Sequence, residues 1–173
     1  MITALILTEG GGIEPLAATL ASLVPAVAAG LVADAVVLDL NAASEIAAVA
    51  DGVGAAHVRI AERRSAWAAG AAVARRDWLF CLAAGDVPQE GWIGAIEAFL
   101  AGASGPGLGR ARRGGALPAR AAVLWERLAG APQVRAGDLV HRALVRGPRL
   151  PRSLRPARLD ARISAPRRPN RKQ

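Results

Sequence analysis

Residues 77–92 read DWLFCLAAGDVPQEGW, an apolar run that ends in a small-residue turn with one acid, Asp86, at its tip. A carboxylate just beyond the end of such a run stands where open α/β sheets bind their ligands. Mg²⁺ or Mn²⁺ needs several oxygen donors, and Ala83, Ala84 and Gly85 offer no side-chain oxygen, so Asp86 alone is a poor metal ligand. Glu9 and Gly10 open a second turn, Glu-Gly-Gly-Gly, between an apolar run and a helical pattern. Glycines there let a backbone approach a phosphate at a helix N-terminus. Asp39 closes the apolar run AVVLDL, where an acid accepts hydrogen bonds from a ribose or a base. His57 and His141 have no cysteine or histidine at ligand spacing, which argues against zinc. Cys81, the only cysteine, lies inside WLFCL and reads as a small core residue in a reducing compartment.

These groups need a scaffold, and the hydrophobic pattern supplies one. Residues 2–7, 35–40, 56–60 and 78–82 read as strands, and residues 65–76 and 90–100 as helices. Leu16, Leu20, Leu23 and Val27 recur at helical spacing, and Ser44 is placed to cap a short helix with Glu45 in its first turn. Strands alternating with helices specify a parallel sheet covered on both faces. The expectation is a parallel α/β layer over residues 2–100, with Asp39 and Asp86 at the same carboxyl edge.

Charge divides the chain. Residues 1–100 carry 5 Arg against 11 acids, while residues 101–173 carry 16 Arg and 1 Lys against 3 acids, so a net +8 conceals an acidic half and a strongly basic one. A basic half favours phosphate, anionic lipid or nucleic acid. Aromatic residues are scarce, with no tyrosine, so the tail offers no stacking platform for sequence-specific recognition of single strands. Residues 16–33 are uncharged, but Pro25 and Gly30 interrupt them and acids flank them, the pattern of a helix in water rather than a membrane span. The N-terminus has no basic region of a secretory signal, and the expected location is cytoplasmic or peripheral at the inner face of the membrane. The expected divisions are a nucleotide-binding region over 1–101, a flexible Gly/Arg-rich linker over 102–116, an acceptor-side remnant over 117–147 with one helix at 119–128, and an irregular basic tail over 148–173.

Segments in order along the chain carry a family resemblance: ITALILTEGGGIEPLAATLASL, AVVLDL, RRSAWAAGAAVARRDWLFCLAAGDVPQEGW, AGDLVHRALV and RSLRPARLDARISAPRR. Together they resemble the family 2 glycosyltransferases of the short bacterial kind. The resemblance implies a Rossmann-like GT-A nucleotide-binding sheet with helices on both faces, a nucleoside-diphosphate sugar as partner, and Mg²⁺ or Mn²⁺ if the protein is active. It also implies nucleotide contacts at Glu9, Gly10 and Asp39 and an acceptor-side role for Asp138. The departures fall on the chemistry. Ala83, Ala84 and Gly85 occupy the Asp-any-Asp metal motif, and Ala69 replaces the asparagine before Gly70. Pro148 and Arg149 fall where the acid that takes the acceptor proton belongs.

The leading expectation is therefore a glycosyltransferase-like protein, catalytically weakened or inactive. Two other readings stay open from the sequence: a dinucleotide-binding domain using Gly10, Gly12 and Asp39, and a non-enzymatic module that docks on an anionic membrane surface or another anionic partner through the C-terminal arginines.

Overall fold

The computed structural model describes residues 1–10, 12–114, 133–145, 150–151 and 153–165. The predicted helix at 119–128 and the positions of Pro148 and Arg149 lie outside the described residues.

The chain opens with β1 (Ile2–Thr8), α1 (Ile13–Ala28), β2 (Val32–Asp39), α2 (Ser44–Gly52) and β3 (Ala56–Arg59). A 3₁₀ turn at Arg63–Ser65 leads into α3 (Ala66–Val73), β4 (Trp78–Ala83), the two-residue β5 (Val87–Pro88) and α4 (Trp92–Gly102). β6 (Leu108–Gly114), β7 (Asp138–His141), a second 3₁₀ turn at Arg142–Leu144 and β8 (Ala157–Ser164) complete the described elements. One sheet of eight strands runs in the order β3-β2-β1-β4-β7-β6-β8-β5.

Its first four strands are mutually parallel, as the alternation of strand and helix patterns requires. β1 is buried along its whole length, the signature of a central strand covered on both faces. Ile2, Ala4 and Ile6 face α1, α2 and α4, packing with Leu16, Leu23, Ile46 and Ile96. Leu5 and Leu7 point the other way, toward α3, with Val36, Leu38, Leu79 and Cys81. Cys81 is buried there, as expected, and burial, aided by the nearby Asp138 charge, pushes its thiol well above its ordinary value. α3 packs closely because Gly70 meets the sheet: a β-carbon at Gly70 would lie 3.0 Å from Leu5 Cδ1 and 3.1 Å from Leu38 Cδ2.

Register carries the strand ends to one edge. Thr8 pairs with Asp39, and Leu7 pairs with Leu38 on one side and Ala83 on the other, so β1, β2 and β4 finish together. Asp39 and the turn carrying Asp86 share that carboxyl edge. No described helix is long and apolar enough to cross a membrane.

The structure corrects several local expectations. On α1 the buried stripe is Leu16, Thr19, Leu23 and Ala26, while Val27 is exposed, because the stripe drifts at 3.6 residues per turn. Ala43 rather than Ser44 takes the cap position of α2, without a side-chain hydrogen bond. The flexible linker expected at 102–116 contains β6, which lies between β7 and β8 inside the sheet. The tail expected to be irregular contains β8, with Leu159, Ala161 and Ile163 turned inward and Arg158, Asp160 and Arg162 outward. That alternation is a period-2 pattern, and proline density on either side masks it. β6 and β8 run parallel and pack tightly: a β-carbon at Gly109 would come within 2.8 Å of Leu159 Cγ.

Candidate functional site

The carboxyl edge gathers three buried acids, Asp39, Asp86 and Asp138. β2 ends at Asp39, whose Oδ1 accepts from the Asn41 N–H at 3.0 Å and lies 3.3 Å from the Thr8 hydroxyl. His57 Nε2 is 3.3 Å from Asp39 Oδ2, so a histidine with no partner in sequence has one in space, delivered by the parallel β2–β3 pairing. Burial pushes the Asp39 carboxyl up, but hydrogen bonds from Asn41, His57, Ala43 and Thr8 together hold it below its ordinary value. The carboxylate thereby pins the loop after β2. Ala42 sits in that loop at φ 53°, a left-handed conformation that costs an L-residue roughly 1–2 kcal/mol and persists only where its surroundings fix it.

Glu9 and Gly10 lie beside this loop. Glu9 pairs with Arg63 from the 3₁₀ turn, and Gly10 adopts φ 100° with Asn41 Nδ2 only 3.2 Å from where a β-carbon would stand. Gly12, at φ 75°, precedes α1 and leaves its first N–H groups without a side-chain cap. Glu9, Gly10 and Asp39 are thus brought together by the ends of β1 and β2.

The turn after β4 is fixed from both sides. The Gly85 N–H donates to the Thr19 hydroxyl and to the Pro15 carbonyl, each at 2.8 Å, which locks the turn to α1. Gly85 has φ 90°, so a side chain there would strain the turn. Asp86 is fully buried. Its Oδ2 accepts from the Ala83 N–H at 2.9 Å, and its Oδ1 accepts from Arg113 Nε at 3.0 Å and Nη2 at 2.6 Å. Burial pushes the Asp86 carboxyl above its ordinary value, and the Ala83 N–H and the Arg113 guanidinium offset only part of that.

Asp138 opens β7 and is also fully buried. Arg110 grips it with two parallel bonds, Nε to Oδ1 at 2.8 Å and Nη2 to Oδ2 at 3.0 Å, and the Arg135 N–H adds a third at 3.0 Å. Burial raises its carboxyl, with Arg110 as the main offset.

A divalent cation does not fit this donor set. Both oxygens of Asp86 are engaged, Ala83 and Gly85 bring none, and among the described residues no three His, Cys, Asp or Glu side chains converge. The positive charge at this turn comes instead from Arg113 on β6. Sequence reasoning missed Arg110, Arg113, Thr19 and the pairing of His57. The two arginines lie in the segment GRARRG, 28 and 27 residues from their acids, and nothing local links them.

No protein-family model matches the chain, and no curated protein matches it. Solved structures do. Glucosyl-3-phosphoglycerate synthase from Mycobacterium tuberculosis, in complex with Mn²⁺, UDP and phosphoglyceric acid, is 20% identical over 83% of this chain and 56% of its own, with a TM-score of 0.58. The same enzyme with Mn²⁺ and UDP-glucose is 18% identical, covering 83% and 57%, at 0.54. S. aureus TarS (residues 1–349) is 11% identical, covering 84% and 48%, at 0.55. These likenesses show the fold, a Rossmann-like GT-A sheet, and the chain spans 56% of the length of the synthase chain it matches.

Proposed function

We propose that the protein is a glycosyltransferase-like chain that binds a nucleoside diphosphate, free or sugar-linked, at the carboxyl edge of β1, β2 and β4, with sugar transfer weakened or lost. The Asp86–Arg113 pair carries this reading. It lies at the turn that matches the resembled family's metal acids in sequence, and its guanidinium would supply there the positive charge that a divalent cation gives a leaving diphosphate. Arg113 uses two of its five N–H groups on Asp86, so three remain to donate to phosphate oxygens. Acceptor activation is the weaker half of the chemistry. Proton removal needs a carboxylate with a free lone pair facing the acceptor. Asp86 and Asp138 each have both oxygens held by protein donors, and Asp39 is committed to the loop after β2.

The structures with UDP, UDP-glucose and Mn²⁺ concern other proteins of the same fold and support a nucleotide as the ligand class. Titration calorimetry tests the reading. UDP should bind, and Mn²⁺ should change its affinity little. Asp39→Ala should weaken binding about tenfold or more, because it frees the loop after β2 that the carboxylate holds through the Asn41 N–H, and a hydrogen bond to a charged group is worth roughly 1.5–3 kcal/mol. Asp39→Asn, which keeps an oxygen for the Asn41 N–H, serves as the fold-preserving companion. Strong Mn²⁺-dependent binding that disappears in Asp86→Ala would overturn the proposal, because it would require an intact metal site.

A further inference from the structure

β6, β8 and Gln89 after β5 border an open cleft of about 300 Å³ lined by Gln89, Arg112, Arg113, Gly114, Arg162, Ile163 and Ser164. Arg112 and Arg162 stand directly opposite one another in the parallel β6–β8 register. Like charges so placed repel, and nothing described compensates them. Neither arginine has an ion-pair partner among the described residues, and Asp160, two residues before Arg162 on the same strand, pairs with neither. Arg113, paired with Ile163 on the inward face, sends its guanidinium to buried Asp86 and leaves the cleft to Arg112 and Arg162.

We infer that this cleft is an oxyanion site for a small phosphate monoester. Guanidinium groups match the oxygens of a phosphate with paired, charge-assisted hydrogen bonds, and two facing arginines with no ion-pair partner among the described residues suit a dianion. The Ser164 hydroxyl, exposed at the rim, supplies a neutral donor. A free phosphate ester and the headgroup of an anionic lipid share this chemistry. A cleft of this size, bordered by Gln89, Gly114 and Ser164, takes a free ester. The site requires neither Asp39 nor a nucleotide, so it stands or falls separately from the function proposed above.

Calorimetric titration of the full chain with glycerol 3-phosphate, without UDP or metal, tests it. Saturable binding of one equivalent is expected. Arg112→Ala and Arg162→Ala should each weaken it about tenfold. Both side chains are exposed, so their removal leaves the fold intact. Arg158→Ala is the control, because it removes the same charge from an exposed position on the same strand, outside the cleft. It should change affinity by no more than about twofold. Three results would overturn the inference: no saturable binding, an equal loss in Arg158→Ala, or co-sedimentation with phosphatidic acid vesicles in the absence of any binding to free glycerol 3-phosphate.

Discussion

Arg110→Ala should lower the free energy of unfolding by about 3–5 kcal/mol, the cost of leaving one member of a buried ion pair without its partner. Asp138 is 0% exposed and Arg110 15%, so little water can replace the lost guanidinium. The arginine also donates to the Gln133 carbonyl at 3.0 Å, which ties the entrance of β7 to β6. Most of the loss should return in Arg110→Ala/Asp138→Asn, because the amide removes the stranded charge and keeps an acceptor for the Arg135 N–H. Urea unfolding of the three proteins measures this directly. A single-variant loss below about 1 kcal/mol, with no recovery in the double variant, would show that the pair is not the clamp described here.

Arg113→Ala should cost less, about 2–3 kcal/mol at neutral pH. The buried-pair figure is discounted because Arg113 is 36% exposed and water can follow its departure. Its pH dependence has a definite sign. Burial raises the folded-state value of the Asp86 carboxyl above the ordinary 3.8, so between the two values the native state holds more protons than the unfolded one. Stability therefore falls as pH rises through that window, and the penalty is absent below it. Removing Arg113 takes away an offset and raises the folded value further. The difference between wild type and Arg113→Ala should accordingly be small in acid, grow as pH rises, and level off once the variant's Asp86 is ionised. Unfolding curves at a series of pH values would show this, and a difference that widens toward acid would contradict it.

Both predictions trace to one strand. β6 sends Arg110 to Asp138 and, three residues later, Arg113 to Asp86, so a single element neutralises two buried acids at the carboxyl edge. It also supplies Arg112 to the neighbouring cleft. On the function proposed above, Arg113 supplies positive charge near a diphosphate at a turn where Ala83 and Gly85 offer no metal-binding side-chain oxygen.

The amino-acid sequence by itself determined the parallel layer and the edge on which the acids lie. Apolar runs such as AVVLDL and WLFCL, separated by helical spacing, leave one way to bury both faces of a sheet, and strand ends follow from that packing. The same reasoning placed Glu9, Gly10, Asp39 and Asp86 at the ends of β1, β2 and β4, because turns after buried strands are marked locally by glycine and acid. Only the tertiary structure decided what those acids do. β6 was hidden because its register shifts between Arg110 and Arg112 and its glycines and arginines read as a linker, while β8 was hidden by the prolines around it. Arg110 and Arg113 reach their acids, and His57 reaches Asp39, through strand pairing across 18 to 28 residues. Hydrophobic periodicity is a short-range signal, whereas the partner of a buried charge is chosen by whichever distant strand the sheet brings beside it.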